Sequence, residues 1–427
     1  MPRDQHCISR ANISKNALKV LYRLKDAGYD AYLVGGGVRD LLLGREPKDF
    51  DVATNATPEQ VKATFRNCRL IGRRFRLAHV HFGREIIEVA TFRAAQPPAD
   101  AVAQSDNGMI LRDNVYGTIE EDALRRDFTV NALYYDIRDF SVVDYAGGMQ
   151  DLQEGVLRLM GDPETRYRED PVRMLRAARF AAKLGFKLHP DTEAPIAELA
   201  GLLADVPSAR LFEEVLKLFM GGYGVASFEK LRHYGLFGQL FPDTEAALAT
   251  EEEGFPHTLV LEGLANTDAR VREGKPVTPA FLFAVLLWEP VRLRALALEQ
   301  AEGISTIAAL NAAASDIIER QLARVSIPRR FSVPMREIWT MQPRFHFTRG
   351  KRPKRLAAHP RFRAAYDFLL LRARAGEVEQ ALADWWTDFQ DTGEPPVEAQ
   401  SEERPRSRRR RGGRRRRRKP AGGEGEG

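Results

Sequence analysis

A pair of aspartates one residue apart holds the side chains best suited to chemistry. Asp49 and Asp51 follow a turn-like segment rich in Gly, Pro and charge and run into an apolar segment, which predicts a short strand. In a strand the two carboxylates share a face, about 7 Å apart, while Phe50 faces the core. A divalent cation would relieve their repulsion, and Mg²⁺ binds one or two carboxylates together with substrate phosphates. The spacing therefore predicts a metal site that handles a phosphate-bearing substrate.

A glycine turn precedes the aspartate pair. Gly35 and Gly36 join a strand-like apolar segment to a helix-like one, an arrangement that can present backbone N–H groups to a phosphate. No Gly-Lys-Ser/Thr closes the turn, so it is not a Walker loop. Each motif alone is also typical of an ordinary turn. Together, with Arg39 between them, they predict a metal-dependent enzyme that handles nucleotides.

A third acid lies on an otherwise apolar strand. Residues 78–82 and 85–92 predict a hairpin, joined by a Gly-Arg turn, with Glu88 on its second strand. A carboxylate among apolar neighbours needs a partner. A third ligand of the metal site and an exposed edge strand both explain it, and the nearby aspartates favour the metal site.

Two arginine-rich segments are candidates for phosphate or RNA contact. Arg126 precedes Asp127, which either caps the following segment or acts beside the arginine in a triphosphate site. Arg73 and Arg74 lie beside an aromatic residue close to the predicted hairpin. Phosphate or RNA binding and a solvated charged face both remain open for these two arginines.

Residues 169–180 predict a helix with an acid at its cap. Asp170 and Arg173 are three residues apart and share a face, and Arg176 and Arg179 continue a basic stripe. One interpretation is a capped helix with solvated arginines. The other is a base reader, in which the carboxylate accepts from an exocyclic amine and the arginine donates to a ring acceptor.

The composition excludes several classes of protein. The 427 residues suffice for two or three domains. No run of about 18 apolar residues occurs, and the first ten residues lack the apolar region of an export signal. Cys7 and Cys68 give neither a disulfide framework nor a zinc spacing. We therefore expect a cytoplasmic protein without a transmembrane segment, and peripheral membrane association stays open.

The net charge of +6 hides a strong asymmetry. Residues 404–419 contain eleven Arg and one Lys and no acid. Without these twelve cations and the two glutamates that follow, residues 1–403 hold 53 basic against 57 acidic side chains. The tail should be disordered and should bind a polyanion, with nucleic acid as the first choice, an acidic membrane as the second and a solubilising role as the plainest alternative.

Four motifs together resemble those of one known superfamily. The sequence is similar to the class II polymerase-β-like nucleotidyltransferases, which include the CCA-adding enzymes and the bacterial poly(A) polymerases. The stretch Leu70–Val80 resembles the signature that separates poly(A) polymerases from CCA-adding enzymes, and the basic tail is similar to tails on the same proteins. The chain is thus identified as a member of the bacterial poly(A) polymerases. The matching motifs are Gly35-Gly36-x-Val38-Arg39-Asp40, Asp49-x-Asp51, Arg125-Arg126-Asp127 and Glu169-Asp170-x-x-Arg173.

The resemblance implies an α+β fold. A polymerase-β-like nucleotidyltransferase head, a mixed sheet with helices, would occupy residues 1–160. A helical neck that binds the nucleobase and RNA would follow in residues 161–225, and a helical RNA-binding body in residues 226–390. Residues 391–427 would form a disordered linker and the basic tail.

The resemblance also implies roles for individual residues. The metal ligands would be Asp49, Asp51 and Glu88, holding two Mg²⁺ ions, with Mn²⁺ as an alternative ion. The catalytic residues would be Asp49, Asp51 and Asp127. The ATP-binding residues would be Gly35, Gly36, Arg39, Arg126, Asp170 and Arg173. The candidate RNA contacts are Arg73, Arg74, Arg176 and Arg179.

The implied activity is template-independent addition of AMP from ATP to RNA 3′ ends, which promotes RNA turnover. ATP and RNA 3′ ends would be the partners, with RNA-decay factors and RNA chaperones as further candidates. The first alternative is a CCA-adding tRNA nucleotidyltransferase with the same fold. The second is an inactive RNA-binding protein on this scaffold, against which the intact carboxylates argue.

Overall fold

The computed structural model describes residues 1–72, 76–94, 102–104, 110–113, 115–252, 255–256 and 258–392. The α-helices among them are α1 (Lys15–Asp26), α2 (Gly36–Leu42), α3 (Pro58–Thr64), α4 (Ile119–Arg125), α5 (Gly148–Glu154), α6 (Pro163–Glu169), α7 (Val172–Leu184), α8 (Pro190–Glu193), α9 (Ile196–Leu199), α10 (Ser208–Phe219), α11 (Gly224–His233), α12 (Leu236–Leu240), α13 (Pro242–Leu248), α14 (Leu259–Arg272), α15 (Pro279–Leu286), α16 (Trp288–Glu302), α17 (Thr306–Leu322), α18 (Arg329–Met341), α19 (Arg352–Ala357), α20 (Phe362–Arg374) and α21 (Gln380–Thr392). The strands are β1 (Ala31–Val34), β2 (Asp51–Thr54), β3 (Cys68–Ile71), β4 (Leu77–Phe82), β5 (Glu85–Thr91), β6 (Val102–Gln104), β7 (Ile110–Asp113), β8 (Leu133–Asp136), β9 (Val142–Asp144), β10 (Val156–Leu157), β11 (Lys187–Leu188), β12 (Glu251–Glu252) and β13 (Phe255–Pro256).

A seven-stranded mixed sheet forms the N-terminal part of the chain. Its strands lie in the order β3-β4-β5-β2-β1-β8-β9. The pairing of β2 with β5 is parallel, and the other pairings in this sheet are antiparallel. The predicted hairpin is confirmed as β4 and β5, with Gly83 at φ +65° in its turn. The register of the parallel pair sets Asp51 directly beside Glu88.

Alternation along the strands gives the sheet two different faces. On β1, Leu33 packs into the main hydrophobic core together with buried side chains of α1, such as Leu21. Tyr32 points to the other face and packs in a smaller cluster with Ala53 and Tyr134. Because side chains two apart share a face, Asp51 lies on the same face as Ala53. The candidate metal ligands thus emerge on the side of the smaller cluster.

From α6 onward the described chain is almost entirely helical, which confirms the predicted α+β class. One cluster of buried apolar side chains contains both Ile8 and Leu371, so the core continues from the sheet into the helices. A separate cluster surrounds the fully buried Trp386 near the end of the described chain. The predicted domain limits at residues 160, 225 and 390 therefore stay predictions. The predicted basic tail lies outside the described residues.

No helix that the structure describes combines the length and the apolar character needed to cross a lipid bilayer.

Candidate active site

The carboxylate cluster is centred on Asp51. Burial, followed by the charges of Glu88 and Asp49, raises the pKa of Asp51 to about 6, although Arg126 and His79 act in the opposite direction. These carboxylates thus act on one another as the sequence predicted. Within the described residues no trio of His, Cys, Asp or Glu is itself arranged to hold a metal ion.

The two aspartates do not share a strand. The expected strand through both residues is corrected by the structure, since β2 begins at Asp51 and Asp49 lies in the preceding turn, exposed to solvent. Phe50 is buried, as predicted. Gly44 and Pro47 precede Asp49 in the segment that enters β2, and such residues favour turns over strands. Strand alternation therefore does not fix the position of the Asp49 carboxylate relative to Asp51.

His79 supports Glu88 from the next strand. The two residues are direct neighbours on β4 and β5, and the histidine Nε2 lies 3.3 Å from a carboxylate oxygen of Glu88. Its position beside a cross-strand acid on the site face suits it to hold that carboxylate in place.

The glycine turn packs directly against the cluster. Gly35 has φ +76° and ψ −138°, a conformation that favours glycine, and it precedes the first residue of α2. A Cβ on Gly35 would lie 3.6 Å from a terminal nitrogen of Arg126. A Cβ on Gly37 would lie 3.3 Å from the carbonyl oxygen of Asp49. The glycines therefore bring the turn, Asp49 and Arg126 into one site.

Arg126 is held in place by two residues outside the sequence motifs. A terminal nitrogen donates to Asp122 at 3.0 Å, and its Nε donates to the hydroxyl of Tyr134 at 2.9 Å. Burial opposes the charge, but Tyr134 and Asp122 raise the pKa of Arg126 above its ordinary value. The guanidinium therefore stays charged beside Asp51, where it can face a phosphate.

The side chain of Arg39 is buried and connects two helices. It is 1% exposed, donates to Asp40 at 2.7 and 2.9 Å and to Asn131, and its guanidinium lies over the ring of Phe180 in α7. Lys183 of α7 also pairs with Asp40, at 3.2 Å. These contacts join α2 to α7. Contact of Arg39 with a triphosphate stays a prediction.

Asp127 forms an ion pair with α7. Its carboxylate accepts from Nε of Arg176 at 2.8 Å and from the backbone N–H of Phe128 at 2.8 Å. Burial alone would raise the pKa of Asp127, but the charge and hydrogen bonds of Arg176 lower it well below its usual range. The predicted cap role is not observed, since the helical turn Thr129–Asn131 has Phe128 at its N-cap and no side-chain cap.

The proposed base-reading pair has partners within the protein. Both oxygens of Asp170 accept from Arg210, each at 2.8 Å. A terminal nitrogen of Arg173 donates to the carbonyl of Arg166 at 2.6 Å and to Glu169 at 3.0 Å. Asp170 was expected to cap α7, but it ends α6 instead, and Pro171 stands at the N-cap. Base reading by this pair stays a prediction.

Three family profiles match successive parts of the chain: "Poly A polymerase head domain" over residues 31–158, "Probable RNA and SrmB- binding site of polymerase A" over residues 185–248, and "Polymerase A arginine-rich C-terminus" over residues 302–420. The chain is 54% identical over 401 residues to Poly(A) polymerase I of Salmonella typhi, across 92% of this chain and 86% of the relative. It is 50% identical over 392 residues to Poly(A) polymerase I of Haemophilus influenzae, across 90% of this chain and 86% of that relative. The chain belongs to the bacterial poly(A) polymerase I family.

The fold of this poly(A) polymerase family member is shared with a CCA-adding enzyme. The crystal structure of the Bacillus stearothermophilus CCA-adding enzyme in complex with CTP matches with a TM-score of 0.56 and 28% identity, covering 88% of this chain and 82% of that one. The membership predicted from the motifs is therefore confirmed. The identity to the CCA-adding enzyme is lower than the 54% to Poly(A) polymerase I, which agrees with the prediction of a poly(A) polymerase.

The arginines proposed for RNA contact have different surroundings in this poly(A) polymerase family member. Arg176 is paired with Asp127, so it is not the solvated arginine of the plainer interpretation. The guanidinium of Arg179 lies 4.4 Å from the ring centre of Phe180, and burial lowers its pKa to about 10. Arg73 and Arg74 lie outside the described residues. RNA contact by these four arginines stays a prediction.

The contacting residues outside the motifs differ in whether a local sequence pattern indicates them. Asp122 lies four residues before Arg126, a spacing at which opposite charges meet on a helix, so this pair could have been found. Arg210 lies 40 residues from Asp170, and no local pattern links the two. Tyr134 gave no signal beyond a strand-like segment.

Proposed function

We propose that this poly(A) polymerase family member adds AMP from ATP to RNA 3′ ends without a template. The observation that carries the proposal is the identity of 54% with a Poly(A) polymerase I across 92% of the chain. The site geometry supports the same chemistry, because carboxylates, the half-buried Arg126 and a glycine turn meet at one face of the sheet. AMP transfer needs these groups to bind a triphosphate and stabilise its leaving group.

The residues that would hold the metal ions are Asp49, Asp51 and Glu88. Asp51 and Glu88 are directly paired on neighbouring parallel strands, and Asp49 lies two residues before Asp51, just outside the strand. Such an all-oxygen donor set suits two Mg²⁺ ions or Mn²⁺, with substrate phosphates as the remaining ligands. Bound there, the ions would lower the pKa of the RNA 3′-hydroxyl and neutralise the leaving pyrophosphate.

The other site residues would position the triphosphate. Arg126, fixed by Asp122 and Tyr134, would pair with phosphate oxygens above Gly35. The RNA 3′-oxygen forms a bond to the α-phosphorus of ATP while the bond to the pyrophosphate oxygen breaks, so the chain needs no covalent intermediate. Its contribution is orientation and electrostatic stabilisation.

Primer extension tests the function. Purified protein, Mg²⁺ and an unstructured RNA primer are incubated with each nucleoside triphosphate in turn, and we expect a long ladder with ATP alone. One or a few additions restricted to a tRNA end would identify a CCA-adding activity instead. Binding of RNA without extension under any of the four nucleotides would identify an RNA-binding protein.

Base selection gives a second prediction. We propose that Asp170 and Arg173 read adenine, as the family motif implies, with Arg210 orienting the carboxylate of Asp170. Asp170→Ala should reduce the ratio of AMP to other nucleotides incorporated by about tenfold, because a paired hydrogen-bond contact to a base edge contributes about 1–3 kcal/mol of discrimination. Incorporation from an equal mixture of the four triphosphates measures this ratio.

The matched control for this prediction is Asp191→Ala, which removes an acid whose side chain is 81% exposed. We expect this variant to keep the wild-type ratio. Unchanged base selection in Asp170→Ala would contradict the assignment.

We further propose a cytoplasmic location, with RNA-decay factors and RNA chaperones as additional partners. The free thiols of Cys7 and Cys68 support a reducing environment.

A further inference from the structure

The helical body contains a large cavity separate from the candidate active site. Its volume is about 1200 Å³, and its walls come mainly from α16, the first half of α17, the helical turn Gln342–His346 and the residues at and just after the end of α20. No described residue of the candidate active site lines it. The volume exceeds the roughly 300–1,000 Å³ that is usual for a small-molecule pocket. The cavity can therefore hold part of an extended ligand.

The floor of the cavity is a rigid cluster of charged side chains. Glu377 accepts from the indole nitrogen of Trp288 at 2.8 Å and from Nε of Arg372 at 2.9 Å. Arg372 also lies over the ring of Trp288, and Arg292 donates to the buried Glu289 at 3.1 Å. These contacts hold side chains of two helices together. The floor is thus formed before any ligand binds.

The two acids of this floor are in contact with each other. Burial and then the charge of Glu377 raise the pKa of Glu289 to about 7. A proton held by Glu289 also supplies a donor for the Glu377 oxygen that is otherwise buried without a hydrogen-bond partner. With that proton in place, two arginines face little more than one negative charge. The lining also includes Glu299, so with that proton in place the charged side chains of the cavity are close to balanced.

The mouth of the cavity is apolar. Phe347 is 43% exposed and Leu296 is 40% exposed, although both are large apolar side chains that line the cavity. The guanidinium of Arg352 lies 4.7 Å from the ring centre of Phe347. Exposed large apolar side chains at a concave site are typical of a binding surface. An aromatic ring beside an arginine is the pairing on which an unstacked nucleobase binds.

A basic segment borders this mouth. Residues 338–366 contain eight Lys and Arg and no acid. Arg344, Lys351, Arg352, Lys354 and Arg355 of this segment are exposed. The basic side chains can contact the phosphates of single-stranded RNA, and a base of the same strand can stack on the neighbouring aromatic ring. A lipid surface would match the charge but would not enter a concave cavity.

We propose that this cavity accepts an unpaired nucleobase of single-stranded RNA, whose phosphates lie along the exposed basic residues 344–355. The inference rests on the proposed function in one respect, because it assumes that the protein binds RNA. It does not depend on AMP transfer, because none of these residues belongs to the candidate active site.

Fluorescence anisotropy of the full chain with a short labelled single-stranded RNA tests the proposal, without ATP or metal. Phe347→Ala should weaken RNA binding about tenfold, the loss typical of removing one base–aromatic stack. An RNA with one abasic residue, moved along the strand, should weaken wild-type binding at one register and add nothing further to the loss in Phe347→Ala. Lys351→Glu combined with Lys354→Glu should flatten the dependence of affinity on salt.

The controls are Leu322→Ala, which removes an apolar side chain 41% exposed outside the cavity, and Arg324→Glu, which reverses an exposed charge after α17. Both should bind RNA as the wild type does. Equal RNA affinity of Phe347→Ala and wild type would overturn the proposal. So would a double lysine variant that keeps its RNA affinity but no longer binds phosphatidylglycerol vesicles, since the segment would then serve a membrane. Primer extension is measured separately, so failure of AMP transfer and failure of this site are distinguishable.

Discussion

Asp51→Asn should reduce AMP transfer to RNA by about a thousandfold or more. Asp51 lies between Glu88 and Asp49, so its amide variant removes the central charge of the proposed metal site while keeping the shape of the side chain. Metal ions stabilise the charge of such a transition state by several kcal/mol, and about 4 kcal/mol corresponds to a thousandfold in rate. Single-turnover primer extension with ATP and Mg²⁺ measures the loss.

Two further measurements separate a metal role from damage to the fold. RNA affinity should be unchanged in Asp51→Asn, and Mg²⁺ or Mn²⁺ should raise the melting temperature of the wild type more than that of the variant, because a ligand stabilises only the state that binds it. Asp26→Asn, at an exposed acid near the end of α1, is the matched control and should retain full activity. A rate within tenfold of the wild type, or an equal loss of RNA binding, would refute the metal role of Asp51.

Asp127→Asn should destabilise the chain by about 1–3 kcal/mol, the cost of leaving one partner of a partly buried, hydrogen-bonded ion pair alone. The pair joins the segment after α4 to Arg176 of α7. Because the pKa of Asp127 is depressed, its contribution to stability is present above the unfolded pKa of about 4 and is lost as the pH falls below it. The difference in free energy of unfolding between wild type and variant should therefore be largest near neutral pH and shrink in acid.

The same pair distinguishes a catalytic Asp127 from a positioning one. If Asp127 acts by holding α7, then Asp127→Asn and Arg176→Gln should reduce AMP transfer by similar factors, and the double variant should be no worse than either. A role in contact with the reacting atoms predicts that Asp127→Asn is far worse than Arg176→Gln. A higher KM for RNA in Arg176→Gln alone would support the predicted RNA contact of that arginine.

The motifs of the candidate active site are connected through α7. Arg39, Asp40 and Asp127 all contact α7, which also carries Arg173. Side-chain contacts therefore connect the predicted base-reading helix to the glycine turn and to the carboxylate cluster. A substitution that weakens the contacts of Arg39 and Asp40 with α7 should therefore alter base selection and AMP transfer together.

Local patterns were sufficient to predict the hairpin and the closeness of its acid to the aspartate pair. Alternation of apolar and acidic residues in β5, with a Gly-Arg turn before it, predicted the hairpin and the position of Glu88. The spacing of Asp49 and Asp51 predicted a pair of carboxylates near it, although only Asp51 lies in the strand. These predictions succeeded because strand alternation and turn chemistry depend on neighbours in the sequence.

The sequence alone determined which residues carry charge, that residues 78–92 form a hairpin, and which superfamily the motifs resemble. Only the tertiary structure decided what each charged residue contacts. Asp170 meets Arg210 across 40 residues, Asp127 meets Arg176 across 49, and Arg39 meets Asn131 across 92. The physical reason is that a buried charge must find a partner, and which partner is available depends on how the helices pack.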